Sequence, residues 1–212
     1  MSAAPFLIGL TGPIGCGKST IAAMLGELGA TIVDADALAR AATGSGEPTL
    51  PAIRGRFGHA VFTADGSLDR AALARIVFGD RAALADLEAI VHPEVRRRVA
   101  ASLEAARQAG ALIVVVEAIK LVEGGLAERC DEVWLVACGE SDQRSRLALR
   151  DMEPDEMSRR LASQGVDLIA RLEPHATRRI DTSGSPEQTR QLVEDALADA
   201  LAPLLLGEGR QG

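Results

Sequence analysis

The chain has 212 residues, enough for one substantial hydrophobic core and too few for two independent ones. Hydrophobic residues make up 47% and aromatics 2%, with no Tyr, so stacking platforms for single-stranded nucleic acid are scarce. A formal net charge of −7 also argues against a general nucleic-acid binder, and leaves room for a local basic pocket around an anionic metabolite.

The apolar run Phe6-Leu7-Ile8-Gly9-Leu10 reads as a buried strand. It leads into Gly12-Pro13-Ile14-Gly15-Cys16-Gly17-Lys18-Ser19 and Thr20, a full match to the phosphate-binding pattern G-x-x-x-x-G-K-[ST]. An amphipathic helix over Ile21 to Leu28 completes strand, loop and helix. The chemistry explains the residue types. Gly15, Cys16 and Gly17 offer backbone N–H groups to phosphate oxygens, and the helix start points its positive end at them. Lys18 supplies a charge for the β- and γ-phosphates, and Ser19 a hydroxyl for Mg²⁺. Cys16 itself reads as a small residue filling a tight turn. The cysteines at 16, 130 and 138 form no CxxC pair, so neither a zinc site nor a disulfide framework is expected.

A second strand, Thr31-Ile32-Val33, ends in Asp34-Ala35-Asp36 ahead of a helix through Ala42. Carboxylates there lie on the ligand edge of an open α/β sheet, and local spacing leaves open which one caps the helix and which one works. After a loop from Thr43 to Pro48, residues 49–107 read mainly as helices, with a turn at Ala64-Asp65-Gly66 and a helix start near Asp69. His92-Pro93 suggests a break or a first-turn position there. Arg96-Arg97-Arg98 suits a substrate phosphate or a solvated face equally.

Leu112 to Val116 is the clearest buried strand, ending at Glu117, whose carboxylate is expected beside Ser19 and the Mg²⁺ or its waters. Ala118 to Asp131 reads as partly helical, and Val133 to Ala137 as the next strand. The arginine-rich stretch Gln143 to Gln164, broken at Met152-Glu153-Pro154, reads as a paired-helix lid. A last strand over 178–182 and a helix from Ser183-Gly184-Ser185-Pro186 to about Leu206 close the chain, with a frayed tail from Gly207. Alternating strands and helices indicate a parallel, three-layer α/β fold. With no secretory pattern at the N-terminus and no apolar run of about 20 residues, a cytoplasmic protein away from membranes is expected.

The phosphate loop alone admits kinases, GTPases, motors and sensors. No Asn-Lys-x-Asp guanine reader is present, and Glu117 stands without a paired acid, which favours a small-molecule kinase. Along residues 7–200 the chain resembles the dephospho-CoA kinase family. The matching stretches are Gly9-Leu10-Thr11-Gly12, Ile32 to Asp36 with Ala39-Arg40, Asp65 to Arg70, Leu87 to Pro93, Cys130 to Val136, Gln143 with Arg146, and Gln164. The Leu68-Asp69-Arg70 and His92-Pro93 blocks are the specific ones. The resemblance implies a P-loop kinase fold as a single domain over 5–206. Its core would span about 5–43, 108–140 and 174–206, with a helical substrate-binding insert about 44–107 and a lid about 141–173.

It also implies transfer of the ATP γ-phosphoryl, with Mg²⁺, to the ribose 3′-hydroxyl of dephospho-CoA, giving coenzyme A and ADP. Asp36 would be the acid at the acceptor hydroxyl, and Lys18 and Arg146 would meet the phosphates. Thr11 and His92 would join Asp36 on the substrate side. A monomer or weak homo-oligomer is expected. The stretch Glu117-Ala118-Ile119-Lys120-Leu121-Val122-Glu123 departs from the family's Asp-x-Pro-Leu-Leu-Phe-Glu, and Thr182-Ser183 stands where an Asn is common. A nucleotide-binding sensor without turnover is the alternative. Intact Lys18, Ser19, Asp36 and Arg146 favour the kinase.

Overall fold

The structure is a computed structural model that describes residues 4–149, 157–158, 161–162, 164–165 and 167–205. Among these residues five strands form one all-parallel sheet: β1 Phe6–Thr11, β2 Thr31–Asp34, β3 Ile113–Glu117, β4 Glu132–Ala137 and β5 Arg178–Asp181, in the order β2-β3-β1-β4-β5. The helices are α1 Lys18–Glu27, α2 Ala35–Ala42, α3 Leu50–Phe57, α4 Arg70–Val77, α5 Arg81–Gln108, α6 Glu140–Ala148, α7 Leu168–Leu172 and α8 Pro186–Leu205.

Strand β3 is buried on both faces, which is why its sequence is a continuous apolar run rather than an alternation. Ile113 and Val115 join a core with Ile8, Leu10, Trp134, Ile21 and Leu25 of α1, and Val193 and Leu197 of α8. Val114 and Val116 face the opposite layer, with Leu7, Val33, Ile53, Leu73 and the α5 valines Val91, Val95 and Val99. Each such side chain contributes about 1.5–3 kcal/mol by leaving water. The sheet is therefore clamped between α1/α8 and the helices of the 50–108 region.

The expected break at Pro93 does not occur. Helix α5 runs unbroken for 28 residues with Pro93 inside it. The proline sits on the exposed side of a helix whose buried stripe is Val91, Val95 and Val99, so the carbonyl deprived of its N–H partner can turn to water. Segment 118–131 is mostly turns, with a single short 3₁₀ turn at Ala127–Arg129. The expected break at Met152-Glu153-Pro154, the arginines Arg150, Arg159 and Arg160, and the tail from Gly207 lie outside the described residues.

Register places the chemistry. Asp34 of β2 pairs with Glu117 of β3, and Glu117 with Leu10 of β1, so three strands end abreast. β1 hands the chain to β2 on one side, while β3 hands it across to β4 on the other. Ligands of open α/β sheets collect at the carboxyl edge of such a switch.

Candidate active site

Residues 12–17 join β1 to α1. A Cβ on Gly12 would lie 2.1 Å from the carbonyl oxygen of Val136, at a φ of +143°, so glycine is required there. Gly17 opens α1 from the left-handed region with no side-chain cap. The first N–H groups of α1 therefore have neither intrahelical nor capping partners, which makes this end a seat for an anion. Lys18 is buried, and its Nζ donates to the carbonyls of Gly12 at 2.9 Å and Pro13 at 3.1 Å. The Ser19 hydroxyl donates to Oε1 of Glu117 at 2.8 Å. Burial raises the Glu117 carboxyl above its ordinary range, against the opposing pull of that hydrogen bond and of Lys18.

The two aspartates separate cleanly. Asp34 is the cap of α2, accepting the N–H of Ala37 at 2.8 Å. Asp36, two residues on, accepts the N–H of Ile119 with both oxygens, at 3.4 and 3.3 Å. Desolvation pushes the Asp36 carboxyl up, and Lys18 and the Ile119 N–H pull it back without cancelling the rise.

Asp36 lies on the wall between two spaces. One, of about 260 Å³, is bounded by Gly15, Lys18, Ser19, Glu117 and Ile119. The other, of about 360 Å³, is mainly apolar and runs between α2, α4 and α5, with Leu73, Leu87 and Val91 on its walls and Glu88, His92 and Lys120 among its polar groups. His92 is half-buried there, and desolvation lowers its pKa, which favours the neutral imidazole. A third space of about 350 Å³ opens on the far side of the loop, beside Gly15, Gly17, Thr20, Arg146 and Thr182.

Thr11 is fully buried, and its hydroxyl donates to the carbonyl of Ile119 at 3.2 Å. It therefore fixes the segment that holds Asp36 and opens on none of these three spaces. Arg146 of α6 reaches the loop through Thr182, donating to its hydroxyl at 2.8 Å and its carbonyl at 2.5 Å. The same hydroxyl donates to the carbonyl of Cys16 at 2.8 Å. Sequence reasoning gave Thr182 no role. The available signal was a small hydroxyl residue at a strand end on the ligand edge.

Ile14 is held by Gln143 and Gln164. Gln143 Nε2 donates to its carbonyl at 2.7 Å, and its N–H donates to Gln164 Oε1 at 3.1 Å. The Arg96-Arg97-Arg98 cluster takes its structural reading. Arg97 and Arg98 both bind Glu94, and Arg96 donates to the carbonyl of Gly124.

Cys16 corrects the sequence expectation. It is bonded to Cys138, which follows β4, across 122 residues of chain with a Cα–Cα distance of 5.3 Å. Spacing motifs detect cysteines that are neighbours in sequence. These two become neighbours because β4 lies beside β1, so the residue after β4 meets the loop after β1.

The sequence profile of one family, Dephospho-CoA kinase, matches residues 6–186. The chain belongs to the dephospho-CoA kinase family. A relative named Dephospho-CoA kinase, from Symbiobacterium thermophilum, is 44% identical over 192 residues, covering 90% of this chain and 79% of its own. A crystal structure from Thermus thermophilus superimposes with a TM-score of 0.76 at 35% identity, covering 93% of this chain and 98% of its own. The dephospho-CoA kinase of Campylobacter jejuni shares the fold, with a TM-score of 0.64 at 23% identity, covering 91% and 96%. The fold is that of the P-loop kinases, as the three-layer parallel α/β reading anticipated.

Proposed function

We propose that this chain transfers the γ-phosphoryl group of ATP to the ribose 3′-hydroxyl of dephospho-CoA, releasing coenzyme A and ADP. The observation that carries the reading is the position of Asp36. Its carboxylate belongs both to the space over the phosphate loop and to the larger apolar cavity, so it faces donor and acceptor at once.

In this reading Asp36 accepts the proton of the 3′-hydroxyl as that oxygen attacks the γ-phosphorus. Gly15, Cys16, Gly17 and Thr20 contribute N–H groups to the phosphates, and Lys18 leaves its loop carbonyls for the transferring group. Arg146, set by Thr182, meets the same charge from the lid side. The space beside Thr20 and Thr182 takes the far end of the nucleotide. Thr11 serves the acceptor indirectly, through Ile119, and His92 directly, as a neutral imidazole on the cavity wall.

The residues fit Mg²⁺. Ser19 and Glu117 present two hard oxygen ligands side by side, and among the described residues no cluster of three or more His, Cys, Asp or Glu forms an all-protein cage. Magnesium in phosphoryl-transfer sites is held by one or two such groups with substrate oxygens and waters, and when bound it neutralises charge on the phosphates. Residues 44–107 are proposed as the acceptor-binding insert and 141–173 as the lid of a single domain over 5–206. The chain is proposed to work in the cytoplasm as a monomer or weak homo-oligomer, without nucleic acid or membrane partners. Among the described residues no helix is long and apolar enough to cross a membrane.

The test is coupled ADP release with dephospho-CoA beside adenosine, AMP and pantetheine. Dephospho-CoA should give by far the highest kcat/KM. A higher value for another acceptor, or no ADP with any of them, overturns the reading.

A further inference from the structure

Lys120 stands at a junction that the reaction does not by itself explain. Its ammonium is ion-paired with Glu88 of α5, one turn from His92. Lys120 and Glu88 both belong to the apolar cavity beside Asp36 and also to a wider polar space of about 760 Å³ that continues outward past Arg81 and Arg171. Anything seated with one end at Asp36 and the other end in the outer space passes this pair.

The backbone of Lys120 is placed with respect to the reacting end. The preceding residue, Ile119, gives its N–H to Asp36 and takes the Thr11 hydroxyl on its carbonyl. Other cations on the apolar cavity's wall are engaged elsewhere. Arg70 donates to the carbonyl of Arg40 at 2.7 Å, and Arg40 lies 3.8 Å from the capping carboxylate of Asp34. His92 is held toward neutrality by burial. Lys120 has a flexible stem, three donors, and a partly exposed carboxylate partner that an incoming anion can replace.

We infer that Lys120 is the specificity residue for the acceptor's own diphosphate: it leaves Glu88 for that diphosphate, and so selects acceptors that carry one over bare nucleosides. The inference rests on the proposed function, because dephospho-CoA bears a diphosphate between its adenosine and its pantetheine arm. Glu88 keeps the ammonium from standing uncompensated beside an apolar cavity, and it competes with the ligand for the same donors.

The experiment compares Lys120→Gln, Lys120→Arg and Glu88→Gln with the natural chain. For each, kcat/KM is measured with dephospho-CoA and with adenosine, alongside KM for ATP and the melting temperature. Lys120→Gln should lower the ratio of the two acceptor kcat/KM values by about tenfold, through KM for dephospho-CoA, the scale of one hydrogen bond to a charged group. Lys120→Arg should restore most of the ratio, and Glu88→Gln should lower KM for dephospho-CoA. Where adenosine turns over too slowly, its inhibition constant against dephospho-CoA gives the same comparison. An equal loss with both acceptors, or an unchanged ratio in a folded variant, overturns the inference and makes the pair a wall contact. Failure of the natural chain to phosphorylate dephospho-CoA would instead overturn the function itself.

Discussion

Around Lys18 the groups that can meet a phosphate are mostly main chain: the loop's N–H groups and the opening of α1, held by glycines at positive φ. Beyond Asp36 the cavity is walled by side chains from α2, α4 and α5, drawn from positions as far apart as Ala35 and Leu126. In the proposed reading the first is the donor side, specified mostly by one short stretch of sequence and generic for nucleotides. The second is the acceptor side of that reading; it exists only after the helices pack, and it is where one phosphate-loop kinase can differ from another. Asp36 sits where the two meet, which makes it the most informative position to change.

Asp36→Asn should lower kcat by about 10²–10⁴, because it removes the base of the proposed mechanism while keeping the shape. The same change should raise the melting temperature near neutral pH. The Asp36 carboxyl is held above its ordinary range mainly by burial, so the folded chain binds that proton more tightly than the unfolded chain does. Stability therefore falls as pH rises from the unfolded value to the folded one, and the ionised form is a cost above both. The gain from Asn should disappear below the ordinary carboxylate range, and the acid limb of kcat/KM in the natural enzyme should lie above that range. Asp34→Asn is the control: it retains a capping side chain and should change kcat little. A steep loss in the Asp34 variant with none in the Asp36 variant reverses the assignment.

Lys18→Ala tests the donor side alone. In the proposed mechanism Lys18 is a preorganised donor to the transferring group, and removing one such donor costs about 10²–10³ in kcat. KM for dephospho-CoA should change far less, because Lys18 lies outside the apolar cavity. Near-natural kcat in a folded variant would remove the phosphate loop from the chemistry.

The same division explains what could be read in the sequence. The loop was legible because its chemistry is backbone chemistry at fixed spacing. The three central strands were legible because burial on both faces leaves apolar runs such as Ile113 to Val116. Asp34 and Asp36 could not be separated locally, since the distinguishing partner, the Ile119 N–H, lies 83 residues away. The partners of Thr182 and the Cys16–Cys138 bond were unreadable for the same reason: both depend on strand order. Pro93 misled because the rule against prolines in helices concerns a hydrogen bond, and the exposed face of α5 tolerates its loss.

The bond between Cys16 and Cys138 ties the phosphate loop to the end of β4, and among the described residues no second disulfide ties the cavity beyond Asp36. It closes a loop of 122 residues. Native disulfides typically contribute about 2–4 kcal/mol, which for a chain of this size corresponds to roughly 4–16 °C in Tm. Cys138→Ser, and the natural chain in reductant, should both melt lower by that amount. Thiol counting without reductant should find one free cysteine, Cys130. Burial pushes its pKa up to about 12, so in the fold it is a poor nucleophile. Three free thiols, or a Tm indifferent to reductant, would show that the bond does not form.

Arg146→Ala should have the smallest effect of the four. Arg146 touches the donor side through Thr182, whose hydroxyl also donates to the Cys16 carbonyl, so the guanidinium is placed by the same network that shapes the loop. In the proposed mechanism it faces the phosphates as charge shifts during transfer. Interactions of that kind lower kcat more than they weaken ground-state binding. A drop in kcat of about tenfold, with ATP affinity nearly kept, is the expected pattern for one lost charge-assisted bond. Thr182→Val separates chemistry from placement. It keeps the volume and removes the hydroxyl that receives Arg146, so it should reproduce part of the loss. If Arg146→Ala leaves kcat unchanged while Thr182→Val lowers it, the arginine is a structural brace from α6 and Thr182 alone organises this end of the loop. If both lower ATP affinity and kcat equally, the pair belongs to nucleotide binding rather than to transfer.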